Sequence, residues 1–297
     1  MRVGVIHNPR SHRNLGRPPA TLPSNVIHVA PASPEALGAA LVDMAADGVG
    51  LLIVDGGDGT VREVLSHALS AFGAATPPLA VIPHGKTNAL AHDLGIQPRW
   101  SIEDAMASAL DPRRRTVRSV VQVLREGNNE RPLTGFAFGA GAYVEATRMA
   151  TQVHRVGLVD DVAVGFALVC AAVGALSGGG IGKGRPIRLG NEETARPRFL
   201  IFASTLEQFP LGLRPFGSSR VGLKLLDIDA PPRRLAAALP VILAGREPGW
   251  LERAGYRRRT IDRMSLSGLK DFVLDGELYA GDHVEVCRGP DVVFVTA

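Results

Sequence analysis

The sequence predicts an α/β domain built on a parallel sheet, followed by a mostly antiparallel β domain. Two changes of texture and one length argument lead there. Over the first hundred or so residues, short apolar runs alternate with stretches of helical spacing, the pattern of a parallel sheet covered on both faces. From about Val117 the apolar runs instead come in pairs around turn residues. The length, 297 residues, is about two domains' worth at roughly 150 residues each. The division is expected between residues 117 and 118, giving domains 1–117 and 118–297.

Residues 3–6 form a first apolar run, closed by the polar loop Asn8-Pro9-Arg10-Ser11, and residues 26–29 form a second. Ser33-Pro34-Glu35 then reads as an N-cap, an N1 proline and a first-turn acid. The helix it opens places Ala36, Leu37, Ala40, Leu41, Met44 and Ala45 on one face. Residues 49–54 are continuously apolar, as a strand buried on both faces should be. After a glycine turn, Val61, Val64, Leu65, Ala68 and Leu69 return to helical spacing. A strand over 79–82 and a short helix over 88–94 follow. Ser101 and Asp104 start a helix in capping-box fashion, expected to bury Ile102, Ala105, Met106, Ala109 and Leu110 before Asp111-Pro112 stops it.

In the second half, runs at 117–124 and 133–138 flank Gly127-Asn128-Asn129, and runs at 187–189 and 199–204 flank Gly190-Asn191. Short strands are expected at 272–274, 283–287 and 292–295. Between them, residues 162–182 lack any charge over about the length that spans a bilayer. Gly165, Gly174 and Gly178-Gly179-Gly180 dilute that stretch, so a buried helix over 162–176 ending in a glycine hinge is the expectation. No internal repeat is evident.

A 45% apolar and 21% charged composition excludes a disordered or collagenous chain. The two cysteines, Cys170 and Cys287, cannot supply a disulfide framework and lack metal-ligand spacing, which suits a reduced intracellular compartment. Residues 1–6 run straight into a strand, so no signal peptide is expected. The formal net charge is +4, carried by arginine except at Lys86, Lys183, Lys224 and Lys270. Arginines cluster at 113–115, 233–234 and 257–259, which suits phosphate-rich partners or a plain solvated surface. The 5% of aromatic residues do not interleave with them, which disfavours nucleic acid.

The sharpest chemical signal is Asp55-Gly56-Gly57-Asp58-Gly59-Thr60, set where a buried strand ends and a helix begins. Glycines there let backbone approach a phosphate, and a helix N-terminus favours negative charge. Asp58 would repel a phosphate, so it makes sense handling a magnesium ion or a proton. A tight turn with a capping acid is the plain alternative. Gly57-Asp58-Gly59 is only part of a dinucleotide fingerprint, since Arg62 stands at the third glycine position. Gly85-Lys86-Thr87 resembles the end of a Walker A loop whose first glycine would be Ala80. Even so, Lys86 lies just before a helix start, within reach of nucleotide phosphates.

Gly56-Gly57-Asp58-Gly59-Thr60 with Glu63 resembles the glycine-rich signature of the diacylglycerol kinase catalytic-domain family, which includes bacterial lipid kinases, sphingosine kinases and ceramide kinases. The segment from Ile82 to Ile96 is similar to that family's second nucleotide motif. Asn8-Pro9-Arg10-Ser11 matches its opening motif, and Asp275-Gly276-Glu277 its C-terminal Asp-Gly-Glu, in the family's order along nearly the whole chain. The resemblance implies an NAD kinase/diacylglycerol kinase-like α/β domain followed by a β-sandwich domain that takes the lipid. It implies ATP and Mg2+ as cofactors, with Asn8, Gly56, Gly57, Asp58, Gly59, Thr60, Glu63, Gly85, Lys86, Thr87 and Asn88 as the nucleotide-binding residues. Glu277 is similar to the residue that takes the proton from the lipid hydroxyl, and Asp58 to an acid given that role or a magnesium role.

The expected activity is transfer of the γ-phosphate of ATP to a hydroxyl of a membrane lipid of diacylglycerol, phosphatidylglycerol or sphingoid/ceramide type. The expected location is cytoplasmic, with peripheral association at the inner, anionic membrane face. An NAD kinase-like phosphotransferase and a non-catalytic nucleotide- or lipid-binding relative are the alternatives. The sequence departs from the family pattern in three places. Ser11-His12 replaces Ser-Gly, Lys86 and Ala89 replace a threonine and an acid, and no Asp-Gly-x-Leu stretch for a structural magnesium is found. The nearest counterpart of that stretch, Gly222-Leu223-Lys224-Leu225, lacks the acid.

Overall fold

The computed structural model describes residues 1–16, 22–127, 131–153, 180–218 and 221–297. The expected helix over 162–176, Cys170 and most of the turn at Gly127-Asn128-Asn129 lie outside the described residues. The chain divides into two units, Met1–Arg118 with Pro290–Ala297, and Ser119–Gly289.

The first unit follows the alternation of its sequence. Strands β1 (Arg2–His7), β2 (Val26–Val29), β3 (Val49–Gly56) and β4 (Leu79–Pro83) alternate with helices α1 (Pro34–Ala46), α2 (Asp58–Phe72), α3 (Ala89–Asp93) and α4 (Ile102–Ser108). All the strand pairings are parallel, in the order β2-β1-β3-β4. The end of a later strand, β15 (Val284–Val295), adds beyond β4 through Phe294 against Leu79. Leu51, Leu52, Ile53 and Val54 are wholly buried. A continuous apolar run is therefore the only kind of strand this sheet position accepts, each side chain contributing about 1.5–3 kcal/mol of burial.

Helix α1 starts where Ser33 accepts the Ala36 N–H at 3.2 Å, with Pro34 as its first residue. Its buried stripe is Leu37, Leu41 and Met44, narrower than expected, because Ala36 in the first turn is exposed. Met44 reaches the sheet at Gly4, where a Cβ would lie 2.7 Å from its sulfur. Helix α4 carries the full capping box between Ser101 and Asp104. It ends at Ser108, however, so Leu110 lies past its last turn and is 76% exposed rather than buried.

The second unit is antiparallel. Its strands are the later part of β5 (Arg115–Arg125), β6 (Leu133–Gly135), β7 (Ala137–Gly141), β8 (Arg185–Leu189), β9 (Arg196–Ser204), β10 (Leu223–Asp229), β11 (Tyr256–Ile261), β12 (Arg263–Ser267), β13 (Asp271–Leu274), β14 (Glu277–Ala280) and the first part of β15. Helices α5 (Ala142–Val153), α6 (Leu235–Leu243) and α7 (Trp250–Arg253) intervene. One run of pairing is β14-β13-β7-β9-β10-β11, and β9 also pairs β8, which leads to β12 and β15.

Its core is made of alternate residues: Val121 and Val123, Phe138 and Ala140, Ile201 and Ala203, Leu223 and Leu225, Met264 and Leu266, Phe272 and Leu274, Val284 and Val286. A period of two on strand after strand fills the space between two sheet faces, as in a β-sandwich. The expected run over 133–138 is divided between β6 and β7, and the two expected strands 283–287 and 292–295 are one continuous strand.

The arginine cluster near the end is absorbed by this unit. Arg257 pairs with Asp227 and Asp229, and Arg258 donates to the carbonyls of Pro215, Ile242 and Arg246. Fully buried Arg198 joins Asp227, Glu192 and the Ile187 carbonyl. Among the described residues no helix is long and apolar enough to cross a membrane.

Candidate functional site

In an open parallel sheet, ligands collect at the C-terminal strand ends where strand order reverses. Here β2 lies on one side of β1 and β3 on the other, so the reversal falls between the ends of β1 and β3. The segments after these strands are Asn8-Pro9-Arg10-Ser11 and Gly57-Asp58-Gly59-Thr60, the last three of which open α2, and the loop after β4 joins them.

The three loops are tied together by the residues the sequence singles out. Asn8 donates through Nδ2 to Thr60 Oγ1 at 2.8 Å, and its own N–H donates to the Asp55 carbonyl. Its Oδ1 accepts the Arg10 N–H at 3.0 Å, which folds the loop back on itself. A Cβ on Gly57 would lie 2.7 Å from the Gly85 Cα, so these loops touch backbone to backbone, which only glycine permits. Asn88, in the left-handed region at φ 53°, accepts the Gly85 N–H and donates to the Gly85 carbonyl, both at 2.9 Å.

Asp58 joins the second loop to the third. Its carboxylate accepts the N–H groups of Ala89 at 2.9 Å and Leu90 at 3.3 Å, the first turn of α3. The capping acid and the loop acid are thus one residue, acting on a neighbouring helix rather than its own. Helix α2 itself receives no side-chain cap: its N-cap is Gly57. The N–H groups of its first turn have no intrahelical acceptor, and together with the helix dipole they make this end electrostatically favourable to an anion. By contrast α1 and α4 are both capped by serine.

Lys86 is exposed at this end and Thr87 half-buried. Glu63 lies in α2, where it accepts from Arg62 at 3.3 Å. Glu277 belongs to the second unit and is exposed at the start of β14. The turn before it, Asp275-Gly276, has both residues at positive φ, 48° and 83°, and closes the two-residue β13–β14 hairpin. Asp275 also accepts the N–H groups of Phe136 at 3.0 Å and Ala137 at 2.8 Å, so its work is structural.

The sequence reading overlooked a cluster beside these loops. Asp55 accepts from His7 Nδ1 at 2.7 Å, His84 Nδ1 at 2.5 Å and Asn14 Nδ2 at 3.0 Å. Burial pushes this carboxyl up, but the hydrogen bonds from His84, Asn14 and His7 outweigh it and hold it below the usual range. The available signal was position, since His7 ends β1, Asp55 is the last residue but one of β3, and His84 directly follows β4.

A magnesium ion usually takes one or two carboxylates together with substrate phosphates. Asp58, at the first position of α2, supplies a carboxylate of that kind. No cluster of three metal-ligating side chains occurs among the described residues. At the counterpart of the structural-magnesium motif, buried Lys224 donates from Nζ to the carbonyls of Leu206 at 2.6 Å and Thr205 at 3.4 Å. An ammonium already meets those oxygens, so the residues there do not fit a metal ion.

No curated protein matches the chain. Among solved structures, it is similar to a candidate diacylglycerol kinase from Bacillus anthracis str. Sterne, at TM-score 0.66 and 15% identity, covering 100% of this chain and 97% of that one. A second structure so described, from the same organism, matches at TM-score 0.64 and 14% identity over 100% and 97%. A structure described as a diacylglycerol kinase from that organism matches at 0.63 and 14%, again over 100% and 97%. These likenesses establish the fold along the whole chain. Residues 2–123, which hold all three loops, match the model of the diacylglycerol kinase catalytic domain. Through that stretch, the chain is similar to the diacylglycerol kinase catalytic-domain family.

Proposed function

We propose that this protein is an ATP- and Mg2+-dependent lipid kinase that phosphorylates a hydroxyl of a membrane lipid of diacylglycerol, phosphatidylglycerol or sphingoid/ceramide type. The observation that carries the reading is the uncapped N-terminus of α2 at the strand-order reversal, in a stretch that matches the diacylglycerol kinase catalytic-domain model. Phosphoryl transfer asks a protein mainly for positioning and charge.

Bound Mg-ATP would supply the phosphoryl group and the cationic charge that eases its transfer. The first-turn N–H groups of α2, at Asp58, Gly59 and Thr60, donate to phosphate oxygens. Gly56, Gly57 and Gly85 keep side chains out of that approach. Asn8 holds Thr60 in place, Asn88 shapes the Gly85 turn, and Lys86 and Thr87 extend the donor set. Glu63, in α2, completes the set of nucleotide contacts that the family resemblance implies. The new bond joins the lipid oxygen to the γ-phosphorus as the bond to the leaving β-phosphate oxygen breaks. By the family resemblance, Glu277 would take the hydroxyl proton, and Asp58 would help hold the magnesium ion while it fixes α3. Peripheral contact with an anionic membrane at the cytoplasmic face would present the lipid.

The test is label transfer from ATP into a panel of extracted lipids, with an active kinase as control. Labelled lipid that disappears in Asp58→Asn supports the reading, whereas no labelled lipid overturns it. In the same assay, NADP formed from NAD would favour an NAD kinase-like activity, and Mg-ATP binding without turnover a non-catalytic relative.

A further inference from the structure

The cluster around Asp55 opens onto a cavity that the glycine loops do not use. Gly4 of β1 faces Met44 of α1, so by strand alternation His7 points to the opposite face. Asp55 pairs with His7 in register and shares that face. There a cavity of about 560 Å3 is lined by His7, Asp55 and His84 and walled by residues 98–103, with none from α1 or α2. Its size suits a small organic ligand.

The chemistry of the lining follows from Asp55. An ionised carboxylate only accepts, so both Nδ1 atoms bonded to it carry their protons, and each ring keeps only Nε2 for a ligand. His7 packs against His28 of β2, ring centres 5.7 Å apart, and its side chain is 7% exposed. His84 is the more open, at 22%. Arg13, held along the wall by a 3.2 Å hydrogen bond to the Pro98 carbonyl, and Arg99 bring guanidinium groups to the same space. Of the two carboxylates, Asp55 is taken up by its three donors, and Glu103 is exposed at the rim. The remaining wall is apolar, with Ile82, Ile102 and buried Trp100.

We propose that this cavity binds a phosphate group, free or on a small organic phosphomonoester. Arg13 and Arg99 donate to the phosphate oxygens, His84 Nε2 accepts from a protonated phosphate oxygen, and Trp100 and Ile82 face the organic part. Asp55 is a positioning residue that fixes the imidazoles. The site is separate from the α2 end, and it stands whether or not the chain phosphorylates lipid.

The experiment follows Trp100 fluorescence in a Trp250→Phe background, without ATP, as inorganic phosphate or glycerol 3-phosphate is added. Saturable binding is expected, weakened about tenfold or more in His84→Gln and in the double variant Arg13→Gln/Arg99→Gln, since each loses hydrogen bonds to the phosphate. Calorimetry with Mg-ATP in the arginine double variant is expected to stay within about twofold, the scale of an indirect effect. Tighter binding of glycerol 3-phosphate assigns the site to a phosphomonoester, and equal binding assigns it to free phosphate. Absence of saturation with both probes overturns the proposal, as do unchanged affinities in the folded variants. A parallel loss of Mg-ATP binding also overturns it, because the cavity would then belong to the nucleotide site.

Discussion

At Asp58 one carboxylate meets two demands, closing the first turn of α3 and, on the proposed reading, facing the phosphates. Asp58→Asn keeps one acceptor oxygen and turns an amide N–H toward a backbone N–H. The expected loss is about 1 kcal/mol of stability in urea unfolding and a fall of about a hundredfold or more in ATP-dependent lipid labelling. A loss of stability with labelling intact would leave Asp58 a helix cap only. Glu192 gives a second test at this scale. Burial pushes its carboxyl up, but Arg198, Arg196 and the Leu189 N–H outweigh that and hold it down to about 2, against 4.5 for the free group. Because the folded value is depressed, its contribution is complete above about 4.5 and fades as pH falls toward about 2. The stability difference between the parent chain and Glu192→Gln, measured by denaturant unfolding, should therefore be largest near neutrality and vanish in strong acid.

Among elements, the contact between the β3–α2 and β4–α3 loops is the most exacting. In Gly57→Ala the new methyl meets backbone at Gly85, which cannot rotate away. The strain is expected to cost about 1–3 kcal/mol and to weaken Mg-ATP binding measured by calorimetry, while circular dichroism stays that of a folded chain. The Asp275 hairpin offers a comparison outside this region. Asp275→Ala strands the Phe136 and Ala137 N–H groups, at an expected cost of about 1–3 kcal/mol in urea unfolding. The elements of the first unit were legible because propensity, capping and burial agree at each one, as at Ser33-Pro34 and the run 49–54. Strands β10 and β11 went unread because their residues mix arginine, aspartate and lysine with apolar positions, and β12 and β14 because each is only four or five residues long. Only cross-strand ion pairs such as Arg257 with Asp229 make that mixture tolerable.

On the scale of the molecule, the chain leaves the first unit after Arg118 and returns to it at Pro290. The returning segment places wholly buried Phe294 beside Leu79, adding the last parallel strand beyond β4. Phe294→Ala is expected to destabilise the protein by about 3–5 kcal/mol, read as a lower urea midpoint. An unchanged midpoint would mean that the first unit does not depend on this strand.

The sequence by itself determined the α/β order of the first unit, the antiparallel character of the second, and the glycine, asparagine and aspartate loops that carry the family likeness. These features are local, set by periodicities of 3.6 and 2 and by residues that alone tolerate a given backbone. Only the tertiary structure decided that Asp58 caps α3, that Lys224 takes the place of a cation, that arginines 257 and 258 are spent inside the fold, and that His7, Asp55 and His84 meet. Each of those pairings joins residues on different elements, and strand order and register, rather than the residues themselves, set how close they come.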